Sequence, residues 1–283
     1  MSELGLFLRT RRAAVLPADV GLPTGPRRRT PGLRRSELAA LAGVSVEYVT
    51  RLEQGRDRHP SPQVLSSLAD ALRLSTAERV HLHRLTKAAD PGFTCRPAGS
   101  EPPTSIRPPV LALLTRLEPT PAAILNRPGD VVARTKAFEA LVGPLGLLDA
   151  PVPNLVRYVL SDPRAKAAFP DWPRMADDQV AALKQGPFRA DPAAAALADE
   201  LTVTAGEAFT ARVNSIPGLP RATGIVRLTH PSAGPLRLSF ETLDLPADDD
   251  QRLLVYLPAD PATETALARL TTPPPQPLRL VAG

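Results

Sequence analysis

Cysteine and histidine are scarce in this sequence, and that scarcity excludes several classes of protein. The 283 residues include one cysteine, Cys95, so the chain can form no internal disulfide and has no second thiolate for a metal site. No His-x-x-x-His spacing occurs, and no run approaches the roughly 18 apolar residues of a membrane helix. The N-terminus lacks the apolar core of a signal peptide. We therefore expect a soluble, cytoplasmic protein that binds neither membrane nor cofactor. The four histidines are His59, His81, His83 and His230.

Catalytic motifs are missing as well. The sequence contains no Gly-x-Ser-x-Gly, and no glycine-rich phosphate loop follows a strand pattern. Glu241 and Asp244 are three residues apart in a strand pattern, where they would face opposite sides of a sheet. Because an enzyme needs a nucleophile with a base, paired carboxylates, a metal set or a phosphate cradle, we expect a protein that is not an enzyme.

The charge of the chain is distributed unevenly. Residues 1–90 carry 15 Lys+Arg and 9 Asp+Glu, a net of +6, whereas residues 91–283 carry 19 and 20, a net of −1. An excess of positive charge confined to one part is expected when only that part binds a phosphate backbone. The length favours two domains. We predict a DNA-binding domain at 1–90, a proline-rich linker at 91–107 and a second domain at 108–283.

Residues 33–56 carry the pattern of two short helices joined by a tight turn. Leu38, Ala39 and Ala42 form an apolar stripe that ends at Gly43, the residue best suited to a left-handed helix terminus. Val44 then fills the corner. Ser45 is a good N-cap, and Gly55 is a good terminator. The pattern predicts a second helix over residues 46–54.

The second of these helices has one apolar and one polar face. Val49 and Leu52 can pack on the first helix, which leaves Glu47, Thr50, Arg51 and Gln54 outward. A recognition helix presents such a face to base edges, while its N-terminus and neighbours meet phosphate. Tyr48 can either touch a thymine methyl or a sugar or pack against Arg51. The predicted DNA-binding residues are Arg35, Ser45, Val46, Glu47, Tyr48, Thr50, Arg51, Gln54 and Arg56.

Three further helices are predicted around this pair. Residues 3–16 place Leu4, Phe7, Leu8 and Val15 on one side. Ser61-Pro62 is a cap followed by a first-turn proline, and Ser75 with Glu78 is a capping box that opens a helix with Val80 and Leu85 inward. Together these signals predict an all-α domain of five helices.

The segment 17–31 is long for a connection between helices and contains Arg27, Arg28 and Arg29. Two interpretations remain open. The arginines can belong to a solvated loop, or they can reach backbone phosphate or a minor groove beside the recognition helix, as basic arms do.

The second half of the chain reads as an α+β domain. Two apolar runs flank Asn126 to Gly129 within 121–133 and indicate a hairpin. Helical patterns and later strand patterns follow, and together they predict an antiparallel sheet of five strands. The predicted helices are at 136–142, within 154–185 and at 261–270, and the later strands are at 225–228, 236–245 and 253–257.

These motifs resemble a known family. LAALAGVSVEYVTRLEQGRDRHPSPQVLSSLADAL is similar to the helix-turn-helix of the Xre/Cro-like repressors, and RRRTPGLRRSELAALAGVSVEYVTRLEQGRDRHPSPQ resembles the subgroup of MmyB-like regulators. NLVRYVLSDPRAKAAFPDW and THPSAGPLRLSFETLDLPADDDQRLLVYLPA resemble the second domain of that family. The resemblance implies a lambda-repressor-like helix-turn-helix domain followed by a PAS-like domain that binds a small, lipid-like ligand.

The sequence departs from the family pattern at three places. Arg35 stands where many repressors have a glutamine that fixes the recognition helix on the phosphate backbone, although an arginine can hold phosphate by charge. Arg134-Thr135 replaces a Trp-Asn pair. Val213 and Ile216 stand where relatives have a Trp and a His.

A sheet with helices on one face encloses an apolar hollow, which can exclude water from an acyl chain or another apolar metabolite. For each candidate lining residue, an ordinary core residue is the favoured interpretation, and Trp172 is expected to be a packing anchor. The candidate ligand-binding residues are Leu125, Val131, Phe138, Leu141, Leu155, Tyr158, Val159 and Phe240.

The sequence thus predicts a transcription regulator that binds a double-stranded DNA operator. We expect a homodimer, with two recognition helices about 34 Å apart, and a small apolar or fatty-acid-like ligand. The alternative is a binding module that sequesters a metabolite or a partner protein without regulating DNA. A gel shift against the upstream region of its own gene separates the two.

Overall fold

The computed structural model describes residues 2–23, 30–57, 59–88, 105–185, 188, 191–245 and 251–271. The predictions about Arg27 to Arg29, about Cys95 and about most of the linker lie outside these residues. The chain forms two compact units. The first unit comprises Met1–Ser100, Val180–Ala196 and Gly206–Pro220; the second comprises Glu101–Gln179, Leu197–Ala205 and Arg221–Gly283.

The five helices predicted for the N-terminal region are present in the first unit. Ser45 Oγ accepts a hydrogen bond from the Tyr48 backbone N–H at 3.1 Å, and Gly43 and Gly55 adopt left-handed φ angles of 65° and 72° at the two helix ends. The caps therefore set the predicted bounds 46–54. The helices are α1 (Glu3–Ala14), α2 (Arg35–Ala42), α3 (Val46–Gln54), α4 (Pro62–Ala71) and α5 (Thr76–Ala88), with a short 3-10 turn at Pro17–Val20.

One inward residue of α5 was predicted wrongly. Val80 is 46% exposed, whereas His81 and Leu82 are buried beside Leu85. Residues five apart in an α-helix are separated by about 140° around its axis, so Val80 and Leu85 do not share a face. His81 instead contacts Phe7 edge to face, with ring centroids 5.1 Å apart.

Burial of His81 makes the stability of the first unit depend on pH. Burial, together with the positive charge of nearby Arg84, lowers the pKa of His81 from 6.5 to about 4. Between these values the unfolded chain binds the proton and the folded chain does not, so stability falls as the pH drops through this window and is constant for this group above it. We expect a loss on the order of 2 to 3 kcal/mol between pH 7 and pH 4. Chemical denaturation at successive pH values measures it.

His81→Gln is the control, because glutamine does not titrate in this range. The difference in unfolding free energy between the original protein and this variant should shrink as the pH falls. A difference that stays constant from pH 7 to pH 5 would contradict neutral burial of His81.

The second unit contains the predicted antiparallel sheet. Five strands lie in the order β2-β1-β5-β4-β3, and every neighbouring pair is antiparallel. The order leaves β3 as an outer strand, where Arg227 forms an ion pair with Asp171. The strands are β1 (Ala122–Leu125), β2 (Val131–Arg134), β3 (Thr223–His230), β4 (Gly234–Leu245) and β5 (Gln251–Pro258).

The described residues contain eight further helices, of which α6, α11 and α12 were not predicted; α12 belongs to the first unit. Asp191 caps α11 by accepting a hydrogen bond from the Ala194 N–H at 2.7 Å, so Asp191-Pro192 is a start signal of the same kind as Ser61-Pro62. No helix among the described residues is long and apolar enough to cross a membrane. The helices are α6 (Pro108–Arg116), α7 (Lys136–Val142), α8 (Leu155–Ser161), α9 (Pro163–Ala168), α10 (Trp172–Leu183), α11 (Pro192–Thr204), α12 (Glu207–Ser215) and α13 (Pro261–Thr271).

The two faces of the sheet are covered differently. On one face, Ala122, Ile124 and Leu253 form a small core with Leu114 of α6. Alternation along a strand places Tyr256 of β5 on the other face. There Tyr256 stacks on Phe138 of α7, with ring centroids 6.3 Å apart. This second face carries the cavity described below.

Candidate nucleic-acid interface and apolar cavity

Helix α3 has the two faces that the sequence predicted. Val49 and Leu52 are buried in the core of the first unit together with Leu38 and Ala42. On the opposite side, Glu47, Thr50, Arg51 and Gln54 form a polar face that is exposed except for the half-buried Thr50. Acceptors and donors are therefore both available on one side of a single helix, as major-groove contact requires.

The other predicted DNA-binding residues surround this face. Arg35 lies at the first position of α2, Ser45 and Val46 lie at the start of α3, and Arg56 follows its end. All four are exposed, and Val46 exposes 39% of its surface. Ser45 uses its hydroxyl as the helix cap, so its backbone and the free N–H groups of the first turn remain the donors for an anion.

Tyr48 and Arg51 contact each other. The guanidinium carbon of Arg51 lies 5.5 Å from the centre of the Tyr48 ring, within the range of a cation–π interaction. Partial burial raises the pKa of Tyr48, with Asp57 adding to the rise. The contact favours the second of the two interpretations of Tyr48, in which its ring supports Arg51. The Thr50 hydroxyl donates to the Val46 carbonyl at 2.8 Å and can still accept a hydrogen bond.

A buried carboxylate on the inner side of α3 was not anticipated from the sequence. Glu53 is 2% exposed. Its Oε1 accepts from Arg12 Nε at 2.6 Å, and its Oε2 accepts from Arg12 Nη2 at 3.1 Å and from Arg35 Nε at 2.7 Å. Arg12 also donates to the Leu33 carbonyl at 2.7 Å. This Glu53 cluster ties α3 to α1 and α2, so the orientation of the polar face is fixed by charged hydrogen bonds as well as by the apolar core.

The Glu53 cluster gives Arg35 a role that the sequence did not indicate. Its Nε is committed to Glu53, yet its side chain remains 44% exposed. Arginine has five donors, so the remaining ones can reach outward while Nε holds the carboxylate. Glu53 comes one residue before the outward-facing Gln54 but points inward. The sequence around Glu53 does not reveal this, because its partner Arg12 lies in α1, 41 residues away.

An apolar cavity lies in the second unit, between the sheet and the helices that cover it. The space outside the protein atoms there is about 360 Å³, which includes space open to solvent. Among the described residues that line it, only two tyrosines have a polar atom in the side chain. The cavity is lined by Phe138, Leu141, Val142, Leu145, Leu147, Leu155, Tyr158, Phe169, Val226, Leu228, Leu238 and Tyr256.

Four of the eight candidate ligand residues line this cavity, namely Phe138, Leu141, Leu155 and Tyr158. The other four do not. Leu125 and Val131 are buried opposite each other in the β1–β2 ladder, and Val159 is buried on α8. Phe240 is half-buried beneath the Arg221 guanidinium, whose carbon lies 5.4 Å from the ring centre. These four residues face other parts of the packing, and only the folded sheet shows which positions meet the cavity.

Thr135 supports the cavity wall. It is 3% exposed, and its hydroxyl accepts from the Phe138 N–H at 3.1 Å and donates to the Thr120 carbonyl at 2.9 Å. Thr135 thus caps α7, the helix that carries Phe138 and Leu141. Thr135, which departs from the family pattern, therefore hydrogen-bonds to the backbone of neighbouring elements and does not itself line the cavity.

The third departure from the family pattern, at Val213 and Ile216, lies in the first unit. The Lys184 side chain is fully buried, and its ammonium donates to the carbonyls of Val213 at 2.6 Å and Ile216 at 2.5 Å. It also lies 3.2 Å from the Glu3 carboxylate. Val213 and Ile216 do not line the cavity, and they contact Lys184 through their backbone carbonyl oxygens and not through their side chains. Trp172 packs as expected, since its indole N–H donates to the Val159 carbonyl at 2.7 Å.

The chain matches two protein-family models. Residues 3–82 match a helix-turn-helix domain, and residues 106–270, more than half of the chain, match the MmyB-like transcription regulator ligand binding domain. No curated protein matches the sequence significantly. Both matched domains are parts of regulators and not of enzymes, and within the described residues no three or more His, Cys, Asp or Glu side chains are grouped to hold a metal ion. A DNA-binding helix-turn-helix followed by this ligand-binding domain identifies the chain as a member of the MmyB-like family of transcription regulators.

Proposed function

We propose that the protein recognises a specific DNA operator through the exposed polar face of α3 and that a small apolar molecule in the cavity regulates this binding. The observation that carries the proposal is the pairing of that face with the Glu53 cluster behind it. A recognition helix that is held firmly loses little conformational entropy when it enters a groove, so more of its contact energy appears as affinity.

The predicted DNA-binding residues divide by chemistry. Arg51 and Gln54 suit base edges, because arginine pairs with guanine and glutamine with adenine through two hydrogen bonds, and Glu47 can accept from cytosine. Thr50 can bind either kind of edge, and Val46 can contact a thymine methyl. Arg35, Arg56 and the amide end of α3 at Ser45 suit phosphate. Tyr48 orients Arg51.

A homodimer on a nearly palindromic site fits this arrangement, with the two copies of α3 about one helical turn, or 34 Å, apart on the DNA. The ligand then regulates binding only if it has unequal affinity for the DNA-competent and DNA-incompetent states. Footprinting on the upstream region of its own gene, combined with native mass spectrometry of the purified protein, tests both parts. A protein that retains a ligand but protects no DNA would be the sequestering module.

Arg51→Ala measures base recognition. We expect a loss of about 1 to 3 kcal/mol on the preferred site, with little loss on random DNA, because a contact to a base edge discriminates whereas a contact to phosphate does not. Gel shifts on both DNAs at one salt concentration give the two values.

The matched control for this measurement is Arg84→Ala, an exposed arginine on α5 of the same unit. It should change neither affinity. Equal losses for Arg51→Ala on the preferred and the random DNA would assign Arg51 to phosphate and contradict its proposed role.

A further inference from the structure

The cavity wall contains one hydroxyl that has no hydrogen-bond partner among the described residues. Tyr256 is 7% exposed, lines the cavity and stacks on Phe138 with an angle of 9° between the rings. Its hydroxyl makes no hydrogen bond to any described residue. Buried tyrosine hydroxyls normally have a partner, so this one has an unused donor in an otherwise apolar site.

The second tyrosine of the wall shows the usual arrangement. The Tyr158 hydroxyl donates to the Leu145 carbonyl at 2.8 Å. Burial raises the pKa of Tyr158 to about 12 and also raises the pKa of Tyr256. Both hydroxyls therefore keep their proton under ordinary conditions, and the Tyr256 hydroxyl can donate to an acceptor in the cavity.

None of the described residues that line the cavity is charged. An anionic ligand group placed there would lose its hydration with no cation to replace it, which is strongly unfavourable. Arg252 is a buried cation on the same strand, 9% exposed, but it does not line the cavity. Four residues along a strand separate it from Tyr256 by about 13 Å.

We propose that the cavity binds a small, uncharged molecule that is apolar except for one oxygen or nitrogen, which accepts a hydrogen bond from the Tyr256 hydroxyl. This inference rests on the proposed function of the second unit as a ligand sensor and narrows it, because it excludes a carboxylate as the buried head group. The small volume further limits the ligand to a short or compact molecule.

Four probes with eight carbons test the proposal on the full-length protein: octan-1-ol, octan-2-one, octanoate and octane. Binding is measured by isothermal titration calorimetry at pH 7.5. We expect octan-1-ol and octan-2-one to bind at least about tenfold more tightly than octanoate, because the carboxylate must be desolvated.

Tyr256→Phe removes the hydroxyl and keeps the ring. It should weaken octan-1-ol and octan-2-one by about fivefold to tenfold, as expected for one hydrogen bond, and leave octane unchanged. Tyr158→Phe is the matched comparison, since its hydroxyl is already bonded to Leu145. It should lower thermal stability without changing the preference for the alcohol over octane.

Three contrary results differ in what they overturn. Octane binding with no preference for octan-1-ol, or equal affinity in Tyr256→Phe, would overturn the role of Tyr256 and leave the cavity as the ligand site. Octanoate binding most tightly, with the affinity lost in Arg252→Met, would replace the proposed ligand with a carboxylate. Failure of all four probes to bind would overturn the proposal and the cavity as sensor together.

Discussion

Glu53→Gln is expected to lower the free energy of unfolding of the first unit by about 3 to 5 kcal/mol, the usual cost of removing one partner from a buried ion pair. The amide keeps the shape of the side chain but loses the charge that compensates Arg12 and Arg35. Arg12 suffers more, because its side chain is 12% exposed and that of Arg35 is 44% exposed. Urea denaturation followed by far-ultraviolet circular dichroism measures the loss.

Glu47→Gln provides the control, since it makes the same chemical change on an exposed position of the same helix. Its effect should stay within about 0.5 kcal/mol. Arg12→Met should cost more than Arg35→Met because water can reach the Arg35 side of the cluster. A loss below about 1 kcal/mol for Glu53→Gln would show that the Glu53 cluster does not hold α3.

Lys184→Met is expected to lower the stability of the first unit by about 2 to 6 kcal/mol, because it leaves two carbonyls unpaired at about 1 to 3 kcal/mol each. Val213 lies in the last turn of α12 and Ile216 follows its end, so both carbonyls belong to the group that a helix leaves without internal partners. A positive charge at that end also interacts favourably with the helix dipole. Methionine retains the length and apolar character of the stem, which isolates the loss of the ammonium.

The control for Lys184 is Lys166→Met. Lys166 is exposed, and its ammonium lies 4.9 Å from the centre of the Trp172 ring, so its loss should cost less than about 1 kcal/mol. Thermal melting of both variants beside the original protein makes the comparison. If Lys184→Met melts at the original temperature, the prediction is contradicted, because water or another donor then bonds to the carbonyls at the end of α12.

The sequence predicted α3 well because its limits depend on local chemistry. Ser45 and Gly55 act within a few residues of themselves, and the spacing of Val49 and Leu52 follows from the period of a helix. The strands were recognised for the same reason, from runs of apolar residues between turn signals, although they extend further than predicted. The end of a strand depends on which residues of the neighbouring strand it pairs with, and no local signal in the sequence marks that position.

The rest depended on contacts between residues distant in the chain. Nothing local marks Glu53, whose partner Arg12 is 41 positions away. Lys184 had a faint signal as one of four lysines, directly after the apolar run 180–183. Leu125 and Phe138 looked equally suitable as cavity residues, and only the register of β1 and the position of α7 separate them. The distribution of apolar residues predicts a core, whereas the shape of a cavity arises from how that core is incompletely filled.

The position of Arg227 on the outer strand β3 has a consequence for handling the protein at high concentration. An outer strand offers unpaired backbone groups to other molecules, and Ile225 on β3 is 43% exposed. A charged side chain in the middle of such a strand opposes the joining of two sheets edge to edge. The ion pair with Asp171 holds Arg227 at this edge, so we expect its charge to disfavour aggregation through β3.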